Sequence, residues 1–526
     1  MKYPPDCSSQ ERAGVRHDKK IMRAKTKYRI LEIIPGTVLW LTFILAIILS
    51  FIEPIWVIYF IIIYDLFWFL RIMYFVTYLF ISWKRYREIN KTRWFDKIKE
   101  LTPKYAGWKK YEHLIIMATY QESYKVLRTT LQGLADADYD TKKFTIIFTR
   151  ECGERAGKEY EQEFLAGFEK FKQEFGHKFK RLEGYIHPLV EQGELPGKGA
   201  NCTWAIKKAQ KEIIDVENID YQNVIVSNFD SDTAVYSQYF SRLTYLWMTA
   251  DNPHRHSYQP LTLYNNNIWD APSFARVTAN STTFWLMMEK ARPDRMFTFS
   301  SHSMSFKTLV EVGYWETDIV TEDSRIFLQC FDHFDGDYSV IPMYVPISMD
   351  TVMCKSLWET AKQQYKQMRR WAWSVEHFPW MITHFKKNKK ISRVRKIKYL
   401  FNQSEGQFSW ATGPLFILIL GRLPLMVAAA KGEAVAIVQN TPFVLEILMS
   451  LAMLGVIISA FVNIYFLPAR PISHKKYKWI IMVAQWIMLP ITMILFGSIP
   501  AFDAQTRLML GGKYRLGFNV TKKYRK

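Results

Sequence analysis

Cysteine is scarce in this sequence, and no two cysteines lie at a spacing that suggests a shared site. The 526 residues include 5 cysteines and no Cys-x-x-Cys pair: Cys7, Cys152, Cys202, Cys330 and Cys354. Zinc-binding and disulfide-stabilised domains place cysteines at short, repeated spacings. The sequence therefore predicts neither a structural zinc site nor a disulfide framework, and we expect single thiols in a reducing cytosol.

Acidic residues are the minority charge. The chain has 49 aspartates and glutamates against 70 lysines and arginines, which gives a formal net charge of +21. Such an excess is typical of proteins that bind nucleic acid, a membrane surface or an anionic substrate. No basic stripe is interleaved with stacking aromatic residues, so we expect no nucleic-acid partner. A signal peptide is not expected either, because about thirty polar and basic residues precede the first apolar run.

Long apolar runs lie near both ends of the chain and surround a mixed middle. Hydrophobic residues make up 49% of the sequence and aromatic residues 16%. Since about 20 apolar residues cross a bilayer, we predict a transmembrane hairpin over 31–83, turning at Glu53 and Pro54, and a second over 408–467. Basic residues flank the outer ends of the first hairpin, which predicts that both of those ends are cytoplasmic.

Two features of these runs stay open. Asp65 and Arg71 lie inside the second apolar run, where ionisable groups usually face protein or a water-filled path, so an ion pair and a functional role are both consistent. The run at 479–502 is apolar enough to span, which would place the tail outside. The charge pattern favours a cytoplasmic tail instead. Because Pro490 interrupts the run, a re-entrant segment is the alternative, and we favour the cytoplasmic tail.

The middle of the chain, from about 92 to 372, alternates strand-like and helix-like stretches, as in an α/β domain. Residues 114–118, 144–149 and 221–226 are predicted to be buried strands. Ligands bind at the carboxyl ends of such strands in open α/β sheets. The first predicted strand, 114–118, is followed directly by Thr119, Tyr120 and Glu122. Lys198 lies among glycines at a predicted helix start, three residues before Asn201. A lysine in that position can bind a phosphate group, although a plain helix start is equally consistent.

Two aspartates follow the third of these predicted strands. Asp230 and Asp232 are two residues apart, and side chains at that spacing point the same way in an extended chain. Both carboxylates could therefore face one hard cation, Mg²⁺ or Mn²⁺, which binds carboxylates together with substrate phosphates. A solvated turn is the alternative, because Asp-x-Asp often occurs by chance.

Two further motifs lie later in the domain. Thr321, Glu322 and Asp323 precede a predicted helix, so Asp323 is either a cap stabilised by the helix dipole or a general base in a cleft. On a strongly helical stretch over 356–377, Gln367, Arg370 and Trp371 fall on one face. Arginine binds phosphate with a fork of donors and tryptophan offers a flat apolar plate, although an ordinary amphipathic helix would show the same pattern.

Taken in order, these motifs resemble those of membrane-embedded family 2 glycosyltransferases, of the cellulose synthase and hyaluronan synthase type. The series is Thr119-Tyr120-Gln121-Glu122, Gly197-Lys198 with Asn201, Asp230-Ser231-Asp232, Thr321-Glu322-Asp323 and Gln367-x-x-Arg370-Trp371. At the end of the chain, residues 518–523 resemble the gating loop of cellulose synthase, which closes over the donor. That likeness implies donor contacts for Phe518, Thr521 and Lys523, with a basic cytoplasmic anchor as the alternative.

The sequence departs from the family pattern in two places. An aspartate-rich turn is expected after the second strand, but the sequence there is Thr149-Arg150-Glu151-Cys152-Gly153, so Glu151 is only a candidate for nucleobase recognition. The acceptor-side loop expected as Phe-x-Cys-Gly contains His302 instead. His302 is a candidate hydroxyl donor or a structural histidine.

The resemblance implies a GT-A fold, with a Rossmann-like mixed sheet, inserted between transmembrane helices, and an inverting transfer from a nucleotide-diphosphate sugar, UDP-linked rather than GDP-linked. It implies a cation, Mg²⁺ or Mn²⁺, on Asp230 and Asp232, a general base at Asp323 beside Glu322 and Thr321, and an acceptor contact at Trp371. Donor contacts are implied for the remaining motif residues: Thr119, Tyr120, Glu122, Lys198, Asn201, Asp230, Gln367 and Arg370.

We expect a processive hexosyltransferase of the plasma membrane that exports its β-linked product through its own spans, with a cytoplasmic catalytic domain. Transfer of one sugar to a membrane lipid is the first alternative, and an inactive membrane scaffold is the second. The predicted organisation begins with a basic tail (1–30), a transmembrane hairpin (31–83) and the GT-A domain (84–372). An interfacial helix with a basic linker (373–407) and a second hairpin (408–467) follow. The chain then continues with a last apolar segment (468–502) and a basic tail with the gating motif (503–526).

Overall fold

The computed structural model describes residues 7–101, 107–120, 122–151, 158–188, 193–433, 435–517 and 524. Two hydrophobic cores lie on the two sides of one mixed sheet, and a third lies among the apolar helices. The chain therefore consists of a sheet domain, residues 94–387, held against a group of apolar helices from both ends of the sequence.

The sheet has eight strands in the order β3-β2-β1-β4-β7-β6-β8-β5. Strands β3, β2, β1 and β4 run parallel to one another, and β7 runs antiparallel to β4. Apolar runs such as Val224-Ile225-Val226 form the parallel part because both of its faces are covered. The strands are β1 (Glu112–Thr119), β2 (Phe144–Glu151), β3 (Arg181–His187), β4 (Val224–Asp230), β5 (Ala234–Val235), β6 (His256–Leu263), β7 (His302–Ser305) and β8 (Ser339–Ser348).

Helices cover both faces of this sheet. They are α3 (Trp94–Leu101), α4 (Tyr124–Ala135), α5 (Lys158–Phe175), α6 (Lys198–Ala209), α7 (Tyr239–Thr249), α8 (Ser273–Lys290), α9 (Phe306–Glu311), α10 (Glu322–His333), α11 (Leu357–Ala372) and α12 (His377–Lys387). The third predicted strand was placed too early. Tyr221–Asn223 is a 3₁₀ turn whose capping residue Asp220 accepts a hydrogen bond from the backbone of Gln222, and β4 continues to Asp230 itself.

The apolar helices are α1 (Cys7–Ile52), α2 (Pro54–Ile89), α13 (Arg393–Leu420), α14 (Leu423–Ala430), α15 (Ala436–Phe466), α16 (Lys478–Ala484), α17 (Leu489–Met493) and α18 (Ile499–Leu510). In the described part of the chain, five helical stretches are long and apolar enough to cross a membrane. With the mixed sheet between them, this arrangement confirms the predicted fold class, a GT-A domain inserted between membrane helices.

Three predicted boundaries differ from the structure. Of the predicted basic tail, residues 7–30 are helical and continuous with the first apolar run in α1. The helix predicted over 356–377 ends at Ala372, before a 3₁₀ turn and α12. Instead of lying free at an interface, α12 buries Trp380 and Phe385 in the core of the sheet domain. The predicted linker up to 407 is helical from Arg393 onward.

The last apolar stretch, Lys478–Leu510, is called here the final apolar segment. At its start, Lys478 Nζ donates to the carbonyl of Trp269 in the sheet domain at 3.0 Å. At its end, Arg29, which lies midway along α1 and near the start of its apolar part, donates to the carbonyl of Leu508 at 2.8 Å. Helix α1 contacts α12 of the sheet domain, and its far end at Ile52 accepts a hydrogen bond from Lys431. Both ends of the final apolar segment therefore lie on the side of the sheet domain.

Candidate active site

The carboxyl ends of three parallel strands meet at one edge of the sheet. Ala118 of β1 is in register with Asp230 of β4, and Thr119 is in register with Arg150 of β2. The strand order changes direction between β1 and β4, the position where open α/β sheets bind ligands. A cavity of about 1880 Å³ opens there. Among the described residues, all those predicted to contact the donor, the acceptor or the metal on the basis of the motif series line it: Thr119, Tyr120, Glu122, Lys198, Asn201, Asp230, Asp232, Thr321, Glu322, Asp323, Gln367, Arg370 and Trp371.

Lys198 joins the two acidic motifs directly. It begins α6 immediately after Gly197, whose positive φ of 158° and ψ of −164° are readily adopted by glycine. Its Nζ lies 2.6 Å from Asp230 Oδ1 and 3.0 and 3.1 Å from the two Oδ atoms of Asp323. Burial favours the neutral amine, but the two carboxylates outweigh burial and raise the pKa of Lys198 above its ordinary value. The ammonium therefore neutralises charges that lie 93 residues apart in sequence.

The two aspartates of the Asp-x-Asp motif do not continue one extended strand. Asp230 ends β4 and accepts a hydrogen bond from Ser300 Oγ at 2.6 Å. Asp232 lies in the turn that follows, and its Oδ2 accepts a hydrogen bond from the backbone N–H of Asp350 at 2.9 Å. The prediction that alternation along a strand aligns the two carboxylates was wrong, because the strand ends between them. Both residues still line the same cavity.

The Thr-Glu-Asp motif lies at the start of α10, where carboxylates favour the helix dipole. The carboxyl group of Glu322 is 2% exposed. Burial, together with the charge of Asp323, raises the pKa of Glu322 to about 8. Thr321 does not cap the helix with its side chain and instead donates to Glu376 Oε1 at 2.5 Å.

A buried network supports this motif from behind. The Nε2 atom of His377 lies 2.7 Å from Ser324 Oγ, and Arg325 binds both His377 and Glu316. Burial, together with the neighbouring Arg325 charge, lowers the pKa of His377 well below its usual range. Sequence reasoning assigned no role to these residues or to Ser300, because such residue types are common and their contacts join separate segments. Ser324 and Arg325 directly follow the Thr-Glu-Asp motif, and that position was the available signal.

The remaining motif residues lie around the same opening. The ring of Trp371 lies 5.9 Å from that of Tyr264, centroid to centroid. On the strand side, Glu122 accepts a hydrogen bond from the backbone of Tyr120 at 2.7 Å. Asn201 binds His187 at 2.8 Å and donates to Glu151 at 3.4 Å. Glu151, the candidate for nucleobase recognition, therefore lines the cavity beside a predicted donor-binding residue.

One candidate contact, His302, does not join this group, and the predicted contacts at the end of the chain cannot be placed in it because they fall outside the described residues. His302 is fully buried on β7, its Nδ1 lies 3.0 Å from the carbonyl of Phe299, and it does not line the cavity; its position is that of a structural histidine. Phe518, Thr521 and Lys523 lie outside the described residues. Next to them, the backbone N–H of Tyr524 donates to the carbonyl of Met353 at 3.1 Å.

The donor set suits a hard divalent cation bound with substrate phosphates. In the described residues no three His, Cys, Asp or Glu side chains form a ready cage for a metal ion. Mg²⁺ usually needs none, because it takes one or two carboxylates and completes its shell with phosphates and water. Asp230 and Asp232 supply carboxylates at the wall of one cavity, so the residues present fit such an ion.

The cavity does not end at the sheet. Its lining continues onto α2, α13 and α15 and onto the final apolar segment. Examples are Trp68 on α2, Trp410 on α13 and Met453 on α15. One continuous space therefore joins the acidic cluster to the interior of the apolar helices.

Similar solved structures share low sequence identity with this chain. The mannosyltransferase PcManGT from Pyrobaculum calidifontis, in complex with GDP-Man and Mn²⁺, is 14% identical, with 80% of this chain and 96% of that chain covered and a TM-score of 0.42. S. aureus TarS 1–349 in complex with UDP-GlcNAc is 12% identical, with 68% and 93% covered and a TM-score of 0.33. Among curated proteins, none matches the sequence significantly.

The family comparison covers the later part of the site. The family model described as glycosyl transferase family group 2 matches residues 225–496. The match begins within β4, includes both acidic motifs and Trp371, and reaches the final apolar segment. The predicted glycosyltransferase is confirmed at this level, and the chain belongs to glycosyl transferase family group 2.

Proposed function

We propose that this chain is a processive, inverting glycosyltransferase that extends a β-linked glycan from a nucleoside-diphosphate sugar and passes the product into its own apolar helices. The observation that carries the proposal is the continuous cavity, which is lined at one end by Asp230, Asp323 and Trp371 and at the other by α2, α13 and α15. A synthase that retains its product needs both parts in one space.

In this proposal the donor binds at the strand ends, with its diphosphate near Lys198 and Arg370. Both side chains line the cavity, and their charges would stabilise the phosphate oxygens as negative charge develops on them. Asp230 and Asp232 would hold a divalent cation, which when bound neutralises the leaving diphosphate. Thr119, Tyr120, Glu122, Asn201 and Gln367 would complete the donor pocket.

Asp323 is the proposed general base, with Thr321 and Glu322 forming its surroundings. A base must reach the proton that it removes, and Asp323 lines the cavity with 21% of its side chain exposed. In the structure its carboxylate is bound to Lys198. The diphosphate of an incoming donor would compete for that ammonium, which frees Asp323 to accept a hydroxyl proton from the acceptor.

Trp371 is the proposed acceptor contact. An indole ring offers a flat apolar surface on which one face of a pyranose can pack. The ring of Tyr264 packs against the indole of Trp371. The acceptor hydroxyl would lie between Trp371 and Asp323, and its attack on the anomeric carbon from the side opposite the diphosphate would invert that centre. The new chain end would then remain at the entrance to the apolar helices.

The proposed gating role of Phe518, Thr521 and Lys523 requires the tail to reach the sheet domain. The hydrogen bond from Tyr524 to Met353 supports this, because Met353 follows Asp350, which lines the cavity. We further propose that the final apolar segment is re-entrant, since both of its ends contact the side of the sheet domain. The sheet domain and both ends of the segment would then lie on the cytoplasmic side of the plasma membrane.

Transfer of one sugar to a membrane lipid is the second candidate. It is favoured by the apolar wall that α15 gives to the cavity, at Leu448, Met449 and Met453. A lipid acceptor could enter there from the bilayer. The two candidates share the donor site and differ in what occupies the space between the helices.

The proposal is tested by a screen of UDP- and GDP-sugars on membranes that carry the protein, with Mg²⁺ or Mn²⁺. We expect one donor to be consumed and its nucleoside diphosphate released, and a chelator to stop the reaction. The Asp230→Asn variant is the inactive reference. If no donor is consumed by the wild-type protein above that reference, the proposed activity is wrong.

A further inference from the structure

A carboxylate that has no partner among the described residues lies deep among the apolar helices. Asp65 is on α2 and is 5% exposed. It lies eleven residues beyond Pro54, which at 1.5 Å per residue is about 17 Å along the helix and near the middle of a membrane core. Within the described part of the chain, no hydrogen bond or ion pair reaches this carboxylate, and its Oδ1 is fully shielded from solvent.

The ion pair considered from the sequence does not form. Arg71, six residues further along α2, pairs with Glu405 of α13. Asp65 therefore has no neutralising neighbour among the described residues, although burying an unpaired carboxylate in an apolar medium is costly. Ionisable groups at such positions are usually functional, because a purely structural role would not offset that cost.

Asp65 lines the same cavity as the proposed transfer site, next to an indole with unused hydrogen-bonding capacity. Trp68 lies one helical turn away and also lines the cavity, and its buried Nε1–H makes no close hydrogen bond in the described residues, its one polar neighbour there being the more distant hydroxyl of Tyr64. Gly413 of α13 fixes the position of this ring, since a Cβ there would lie 2.3 Å from it. The wall therefore offers one acceptor, one donor and one flat apolar face within a helical turn.

These groups match a polyhydroxylated chain and not a hydrocarbon chain. A sugar hydroxyl can donate to Asp65, another can accept from the indole N–H, and the pyranose face can pack on aromatic rings. An alkyl chain would leave both polar groups unsatisfied in a dry environment, which is the more costly arrangement. The lining therefore distinguishes the two acceptors considered above.

We propose that Asp65 and Trp68 form a glycan-binding subsite in the membrane part of the cavity, where they hold sugars already added to the growing chain. The inference rests on the proposed function, because it requires a product of several sugars. It adds that the space between the helices is built for carbohydrate at this depth, and that Asp65 determines how far a chain is extended before release.

The test measures two quantities on purified protein in lipid nanodiscs: nucleoside diphosphate release in the absence of extension, and the length of labelled product. We expect Asp65→Leu to keep nucleoside diphosphate release within about two-fold of wild type and to shorten the product by about ten-fold, the effect of one lost buried hydrogen bond. Asp65→Asn should be intermediate, because its carboxamide oxygen still accepts a hydrogen bond. Trp68→Phe should also shorten the product, since it keeps the ring but removes the N–H.

Leu66→Ala is the matched control, because Leu66 is 44% exposed on the outer face of the same helix and does not line the cavity. Wild-type product length in both Asp65→Leu and Trp68→Phe would overturn the subsite while leaving the proposed function intact. An Asp65→Asn product as short as that of Asp65→Leu would also overturn it, since charge and not hydrogen bonding would then be required. A wild-type product of one sugar would overturn the proposed function itself.

Discussion

Replacing Asp323 by asparagine separates binding from chemistry at the proposed site. The carboxamide keeps one oxygen for Lys198, which now lies 3.0 and 3.1 Å from the two carboxylate oxygens, so the ammonium and the donor pocket should stay in place. The amide cannot accept a proton at neutral pH. Loss of a general base typically costs 10² to 10⁴ in rate, or about 3 to 5 kcal/mol in the barrier.

The assay compares sugar transfer with binding of the nucleoside diphosphate in the same preparation. We expect Asp323→Asn to bind the nucleotide within about three-fold of wild type, because a single hydrogen-bonding oxygen is retained. Its transfer rate should fall by at least about 100-fold. Asp337→Asn is the matched control, an exposed aspartate just beyond the same helix. Near-normal transfer by Asp323→Asn would show that Asp323 is not the base.

Three further changes probe the surroundings of Asp323. Lys198→Met should weaken nucleoside diphosphate binding by about 10- to 100-fold in calorimetric titration, since it removes a charge-assisted contact, while exposed Lys355→Met should not. Trp371→Ala should leave donor hydrolysis unchanged but raise the acceptor KM about ten-fold, because stacking is lost. Glu322 holds its proton more tightly when folded, with a pKa of about 8 against an ordinary 4.5, so its contribution to stability falls as pH rises through that range. The thermal unfolding midpoint should therefore drop more between pH 5 and about pH 8 in wild type than in Glu322→Gln.

Each of these three predictions has a result that would contradict it. Unchanged nucleotide affinity in Lys198→Met would remove Lys198 from the donor site. A loss of donor hydrolysis in Trp371→Ala equal to the loss of transfer would mean that Trp371 supports the fold or the donor, not the acceptor. Parallel pH profiles for wild type and Glu322→Gln would show that Glu322 is not protonated in the folded protein.

The sequence was sufficient to predict the elements whose signals are local. Apolar runs such as 114–118 and 144–149 became β1 and β2, because a parallel strand that is covered on both faces needs a largely apolar run. The helix start at Lys198 and the acidic start of α10 were equally readable from glycine and carboxylate placement. The residues at which an element begins and ends were harder to predict, since β4 was predicted to begin at Tyr221 and begins at Val224.

What the sequence could not give depends on contacts between distant segments. The bridge from Lys198 to both Asp230 and Asp323 requires α6, β4 and α10 to meet, which no spacing encodes. The support of Thr321 by Glu376 is of the same kind. Hydropathy left the final apolar segment open between a span and a re-entrant segment, because the scale records composition and not which side each end contacts. That Asp65 has no partner among the described residues likewise became visible only in the structure, where Arg71 binds Glu405.

The most direct test of the account is the size of the product made by the purified protein in lipid nanodiscs from its labelled donor sugar and Mn²⁺. A cavity that joins the acidic cluster to the apolar helices predicts a product of many sugars, retained by the protein during synthesis and absent in Asp323→Asn. A product of one sugar attached to lipid would contradict the account, because the space between the helices would then serve a lipid and not a growing glycan.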